Sequence, residues 1–164
     1  MATLLDLTAN QPVETLADGA VLIAEGAAGG DMFVLESGQL EVGRGGVELA
    51  VITQPGTMVG EMAVLLGKPA SATVRAKGEV RVRALRKARA ALESEPSLAF
   101  YVAGILAGRL DATSAVLVDL ARQHAGKPAE AGIFARIFKA LNASDEVLVE
   151  RPDLFSATMM WPLM

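Results

Sequence analysis

PGTMVGEMAVLLGKPASATVRA (residues 55–76) changes character three times in 22 residues, and its reading decides the fold class. Pro55-Gly56 is turn chemistry, because proline pre-sets φ and glycine tolerates φ > 0. Met62, Ala63, Leu65 and Leu66 within GEMAVLLGKP (60–69) are good helix formers, and Gly67 and Pro69 stop what they start. ATVRA (72–76) then returns to the alternating, β-branched pattern of a strand. A short helix is thus inserted between strands.

Working outward, the same strand pattern recurs on both sides. AVLIA (20–24), DMFVLES (31–37), QLEVG (39–43), VELAVI (47–52) and EVRVRAL (79–85) are each strand-length. Gly19, Gly26, Gly29-Gly30, Gly38, Gly45-Gly46 and Lys77-Gly78 stand at the breaks between them, which reads as turns. Short strands at this spacing predict an all-β sandwich or barrel. A short leading helix is expected within residues 1–10.

After Leu85 the pattern becomes helical. Residues 86–95 favour helix, and Pro96 suits the first turn of the next one, where a missing N–H costs nothing. That helix is expected to run to about His124, with Gly126 and Pro128 ending it. Leu106, Leu110, Thr113, Leu117 and Leu120 are spaced 4, 3, 4, 3, a heptad seam that predicts a homodimer through the 96–124 helix. His124 then sits favourably at the helix C-terminus. Gly104 and Gly108 are costly in a helix and suggest a packing notch. GIFARIFKALN (132–142) puts Ile133, Phe134, Ile137, Phe138 and Leu141 on one face. The expected organisation is a β domain over 1–95, a long hinge and dimerisation helix over 96–125, and an amphipathic helix and tail over 126–164.

Composition narrows the function. Hydrophobic residues are 52% of the 164 and aromatics 4%, so the core is aliphatic. The net charge of -4 argues against holding DNA. With no cysteine and one histidine, zinc-thiolate, iron–sulfur and multi-histidine metal sites are excluded. Gly67-Lys68 runs into Pro69 without the glycine spacing of a nucleotide-triphosphate loop, and no Ser–His–Asp arrangement is evident, so an enzyme is not expected. The N-terminus lacks a secretory signal. The longest apolar run, Leu98–Gly108, falls short of the ~20 residues a bilayer requires, so a cytoplasmic protein without a membrane span is expected. Arg75, Lys77, Arg81, Arg83, Arg86, Lys87 and Arg89 gather basic charge, with Arg81 and Arg83 expected on a solvated hairpin face.

The segments ADGAVLIAEGAAGGDMFVLESGQLEV (17–42), residues 55–76 and EPSLAFYVAGILAGRL (95–110) together resemble the cyclic-nucleotide-binding domain family. The resemblance spans Asp18 to Arg109 and implies a mainly β fold, a β-roll followed by a long helix. It implies that residues 55–76 are the phosphate-binding cassette and that the ligand is cyclic AMP or cyclic GMP, with no other cofactor. The implied contacts are Gly60, Glu61, Met62, Ala70 and Ser71. Backbone N–H groups after Gly60 would face the phosphate, and Glu61 would accept from the ribose 2′-hydroxyl. Without the resemblance, Gly60 serves the turn and Glu61 complements the helix N-terminus. In the catabolite-activator branch a Thr-Ser pair on the long helix reaches the base across a dimer. Here that pair would be Thr113 and Ser114, and the alternative is that Thr113 only sets helix register. Arg109 matches a position near the cassette glutamate and would pair with Glu61.

One departure from the family pattern matters. Members that bind a cyclic nucleotide usually carry arginine directly after the cassette proline, and here Ala70 stands there. Losing a charge-assisted hydrogen bond of ~1.5–3 kcal/mol predicts an affinity lower by one to two orders of magnitude. Lys68 and Arg75 are the nearby cations in sequence. Two functions follow as expectations. One is a stand-alone cyclic-nucleotide sensor acting on an unidentified protein partner. The alternative is a degenerate, ligand-free interaction and dimerisation module. A DNA-binding regulator would require a recognition helix after the long helix, and none is evident in the remaining residues.

Overall fold

The computed structural model describes residues 3–123 and the single position 137. Its elements are α1 (Leu4–Leu7), β1 (Val13–Leu16), β2 (Val21–Ile23), β3 (Met32–Arg44), β4 (Val47–Ile52), β5 (Met58–Val59), α2 (Glu61–Leu66), β6 (Thr73–Leu85), α3 (Ala88–Ser94) and α4 (Pro96–Gln123). The strands form one antiparallel sheet in the order β1-β6-β3-β4, with β2 also on β6 and β5 also on β3. This is the expected β-roll followed by a long helix. The chain divides into two units at 113/114, inside α4.

Two strands are longer than the glycine pattern suggested. Gly38 and Gly78 were expected to end strands, yet β3 and β6 each run 13 residues through them. The two pair from Met32↔Leu85 to Gly43↔Thr73, with register shifts on either side of Ser37. Those irregularities bend both strands, so one long pair closes the roll. A Cβ at Gly38 would overlap the Glu79 carbonyl oxygen and lie 2.9 Å from Val80 Cα, so close backbone approach requires glycine there. β1 had no counterpart in the sequence pattern, because Val13-Glu14-Thr15-Leu16 does not alternate, and the strand is held by pairing Val13↔Arg83 to Leu16↔Val80.

Side-chain alternation along β3 feeds two cores. Phe33, Leu35 and Leu40 join Val74, Val80 and Val82 inside the roll. Met32 and Val34 point the other way, to Leu4 of α1, Val64 of α2, Leu92 of α3, and Leu98 and Val102 of α4. The first turns of α4 therefore pack in the β-roll unit.

Arg83 corrects the expectation of a solvated basic face. It donates to Glu36 at 2.9 Å and to the Leu5 carbonyl at 2.7 Å, tying α1 to β6. Arg81 remains half exposed, 3.1 Å from the same carboxylate. The membrane argument from length also changes. The apolar run is only part of α4, which extends 28 residues. By length and composition alone it is long and apolar enough to cross a membrane, with an 18-residue window of mean hydropathy 1.3. His124 and the amphipathic face of 132–142, apart from the helical position 137, lie outside the described residues.

Candidate functional site

Gly60 caps α2 with φ +90°, in the left-handed region. A Cβ there would stand 2.8 Å from the Asp31 carbonyl oxygen and 3.2 Å from Ile23 Cδ1. Glycine is therefore required by the fold before any ligand is considered. Intrahelical bonding begins with the Val64 N–H donating to the Gly60 carbonyl at 3.3 Å. The N–H groups of Glu61, Met62 and Ala63 precede that first bond and take no partner within the helix.

Glu61 opens α2 and is only 5% exposed. Its charge is met by Arg109, whose Nη1 donates to Oε1 at 2.6 Å, while Nη2 donates to the Met58 carbonyl at 3.2 Å. A buried carboxylate without such a partner would be strongly destabilising. Helical spacing explains why Arg109 faces the roll. Leu98 and Val102 are buried on one face of α4, and Arg109 follows Val102 by seven residues, two turns further along that face.

In front of this pair lies a cavity of about 390 Å³. Small-molecule sites span roughly 300–1,000 Å³. Ile23, Val42, Ile52, Val59 and Val74 form its aliphatic walls, and Thr57, Glu61, Ser71 and Arg109 bring side-chain polar groups. The structure brings Gly60, Glu61, Met62, Ala70 and Ser71 together in this lining. Thr113 is not part of it. Its hydroxyl donates to the Arg109 carbonyl at 2.8 Å, one turn back along its own helix. Ser114 opens the second unit and is half-buried on α4.

Position 70 is firmly held. Its N–H donates to the Ala27 carbonyl at 2.9 Å, and its carbonyl accepts from Gly26 at 2.8 Å. Neither Lys68 nor Arg75 lines the cavity. Arg75 lies instead in a separate groove with Glu25, Glu41 and Glu48. The aliphatic walls and Thr57 went unrecognised in the sequence. The period-two alternation of β2, β3, β4 and β6 carried the signal for the walls, whereas Thr57 sits in a turn with no periodicity.

Ala70, Gly60 and Ile23 also line a second cavity of about 260 Å³, on which Asp31 and Arg86 open. Arg86 donates to Asp31 at 2.6 Å and also to Glu14, and its guanidinium lies 5.4 Å from the Phe33 ring centroid. Burial raises the Asp31 carboxyl, but the hydrogen bonds from Arg86 and the Lys87 N–H outweigh it, and the group lies below its ordinary range. The Asp31 bond, and then the Glu14 bond, raise Arg86. Among the described residues, no group of three or more His, Asp or Glu side chains could hold a metal ion.

Comparison with known proteins agrees with this fold. The family model of the cyclic nucleotide-binding domain matches residues 13–91. A cAMP-dependent protein kinase regulatory subunit of Pyricularia oryzae is 40% identical over 70 residues, 42% of this chain and 18% of that protein. The chain thus spans about a fifth of the length of the curated relatives it matches, which range from 18% to 23% for the first of them. Among solved structures, the Thermus thermophilus catabolite activator protein aligns with a TM-score of 0.60 at 25% identity, covering 72% of this chain and 59% of that one. A cAMP-bound structure of PfPKA-R aligns with a TM-score of 0.54 at 27% identity, covering 66% and 36%. Over residues 13–91, this chain belongs to the cyclic nucleotide-binding domain family.

Proposed function

We propose that the chain is a regulatory domain that takes a cyclic nucleotide, cyclic AMP or cyclic GMP, into the cavity bounded by Gly60, Glu61, Ser71 and Arg109, and does no chemistry on it. The observation that carries this reading is the buried Glu61 carboxylate, held by an arginine from α4 at the wall of a ligand-sized cavity. A ribose hydroxyl donating to Glu61 would meet α2 and α4 at once. Ligand occupancy would then bias the position of α4 and, through it, contacts with a second copy or another protein. The cyclic AMP-bound neighbour and the kinase regulatory subunits among the relatives support the same ligand class.

Binding is proposed to be weak, because Ala70 offers the phosphate no guanidinium. The test is calorimetry with cyclic AMP and cyclic GMP on the native chain and on Ala70→Arg. A new bidentate contact of ~1.5–3 kcal/mol is expected to tighten binding roughly ten- to a hundredfold. The buried alanine and the aliphatic walls favour a second reading, a ligand-free interaction module of the same fold. Absence of binding by both proteins at millimolar nucleotide would establish that reading in place of the sensor.

A further inference from the structure

We infer that Arg109, on the long helix, is the residue that meets the anionic phosphate, in place of the arginine missing at position 70. This rests on the cyclic-nucleotide reading and names the group that makes it electrostatically workable. Arg109 is the only lysine or arginine among the described residues lining the 390 Å³ cavity. The cations nearest the cassette in sequence, Lys68 and Arg75, are not part of that lining. A phosphodiester entering beside Glu61 adds a second negative charge to a site where the only carboxylate is 5% exposed, so like charges would repel at low local dielectric.

Arg109 is built to bridge the two. A guanidinium carries five N–H donors in a rigid fork. One donates to Glu61 and one to the Met58 carbonyl. The side chain is 42% exposed, so the fork is open to a ligand while the pair with Glu61 stays intact. An arginine on the cassette would hold the phosphate to the roll alone, whereas Arg109 ties the anion directly to α4.

The test compares cyclic AMP with adenosine, which keeps the base and ribose but lacks the phosphate, on native protein and Arg109→Gln by calorimetry. Glutamine keeps a donor toward Glu61 and removes the charge. The expected result is tighter native binding of cyclic AMP than of adenosine. Arg109→Gln should weaken cyclic AMP at least tenfold and adenosine less than threefold. Equal losses for both ligands would reduce Arg109 to a partner that orients Glu61 and overturn the inference. So would a cyclic AMP loss below threefold, or native binding of adenosine as tight as that of cyclic AMP. Should Arg109→Gln fail to fold by circular dichroism, Arg109→Met, which likewise removes the charge, carries the same comparison. If neither the native chain nor Ala70→Arg binds cyclic AMP, the cyclic-nucleotide reading falls together with this one. Binding with equal losses overturns this inference alone.

Discussion

Replacing Gly60 with alanine tests the backbone on which the cassette depends. Two separate costs can be worked from the structure. The φ of +90° is one that L-residues rarely adopt, and holding a side-chain-bearing residue in the left-handed region costs ~1–2 kcal/mol. The added Cβ would also stand 2.8 Å from the Asp31 carbonyl oxygen. That carbonyl is backbone, and the next residue, Met32, is fully buried at the start of β3, so it cannot swing aside as a side chain would. Overpacking of this kind costs ~1–3 kcal/mol, so Gly60→Ala should lose about 2–5 kcal/mol in all. For a chain of this size that is a fall of roughly 4–20 °C in melting temperature. Urea denaturation followed by circular dichroism measures the free energy, and a thermal scan gives the midpoint. A loss below about 0.5 kcal/mol, the range of ordinary surface substitutions, would refute the claim that fold geometry alone demands glycine at 60. Ligand binding by the variant would then have to be explained without the left-handed cap.

Two further outcomes are expected. Asp31 has a depressed carboxyl in the folded state, so its contribution is present above its unfolded value and is lost as pH falls through the folded one. Asp31→Asn should therefore flatten the loss of stability below about pH 4, checked by urea midpoints from pH 7 down to pH 2, and an unchanged acid limb would contradict it. The seam on α4 predicts a homodimer, and Leu110 on it is 54% exposed within the chain. Leu110→Glu with Leu117→Glu should give monomers of unchanged strand content by sedimentation and circular dichroism. A native chain that sediments as a monomer at high micromolar concentration would remove the dimer.

Local chemistry was enough for much of this protein. Four helix formers between Gly60 and the Gly67–Pro69 stop place α2 within a few residues, because nucleation and termination are decided inside one or two turns of chain. Pro96 likewise marks the start of α4, and the run of strand-length segments before Leu85 announces an all-β layer. Gly60 and Glu61 were singled out differently, by the resemblance of residues 55–76 to the family's cassette.

What the sequence alone could not decide is what lies across from each residue. Gly38 and Gly78 permit a turn or a strand bend equally well, since both require the same backbone freedom. Only the pairing of β3 with β6 makes them bends in continuous strands. Arg83 looks like surface charge until Glu36 and the Leu5 carbonyl are folded against it, 47 and 78 residues away in the chain. The aliphatic cavity walls come from β2, β3, β4, β5 and β6, which share a surface only once the roll has closed. The pair Glu61 with Arg109 joins residues 48 apart, and it was the family resemblance, not local spacing, that anticipated it. A local motif could offer the carboxylate, but burying Leu98 and Val102 in the helical core is what turns Arg109 toward it.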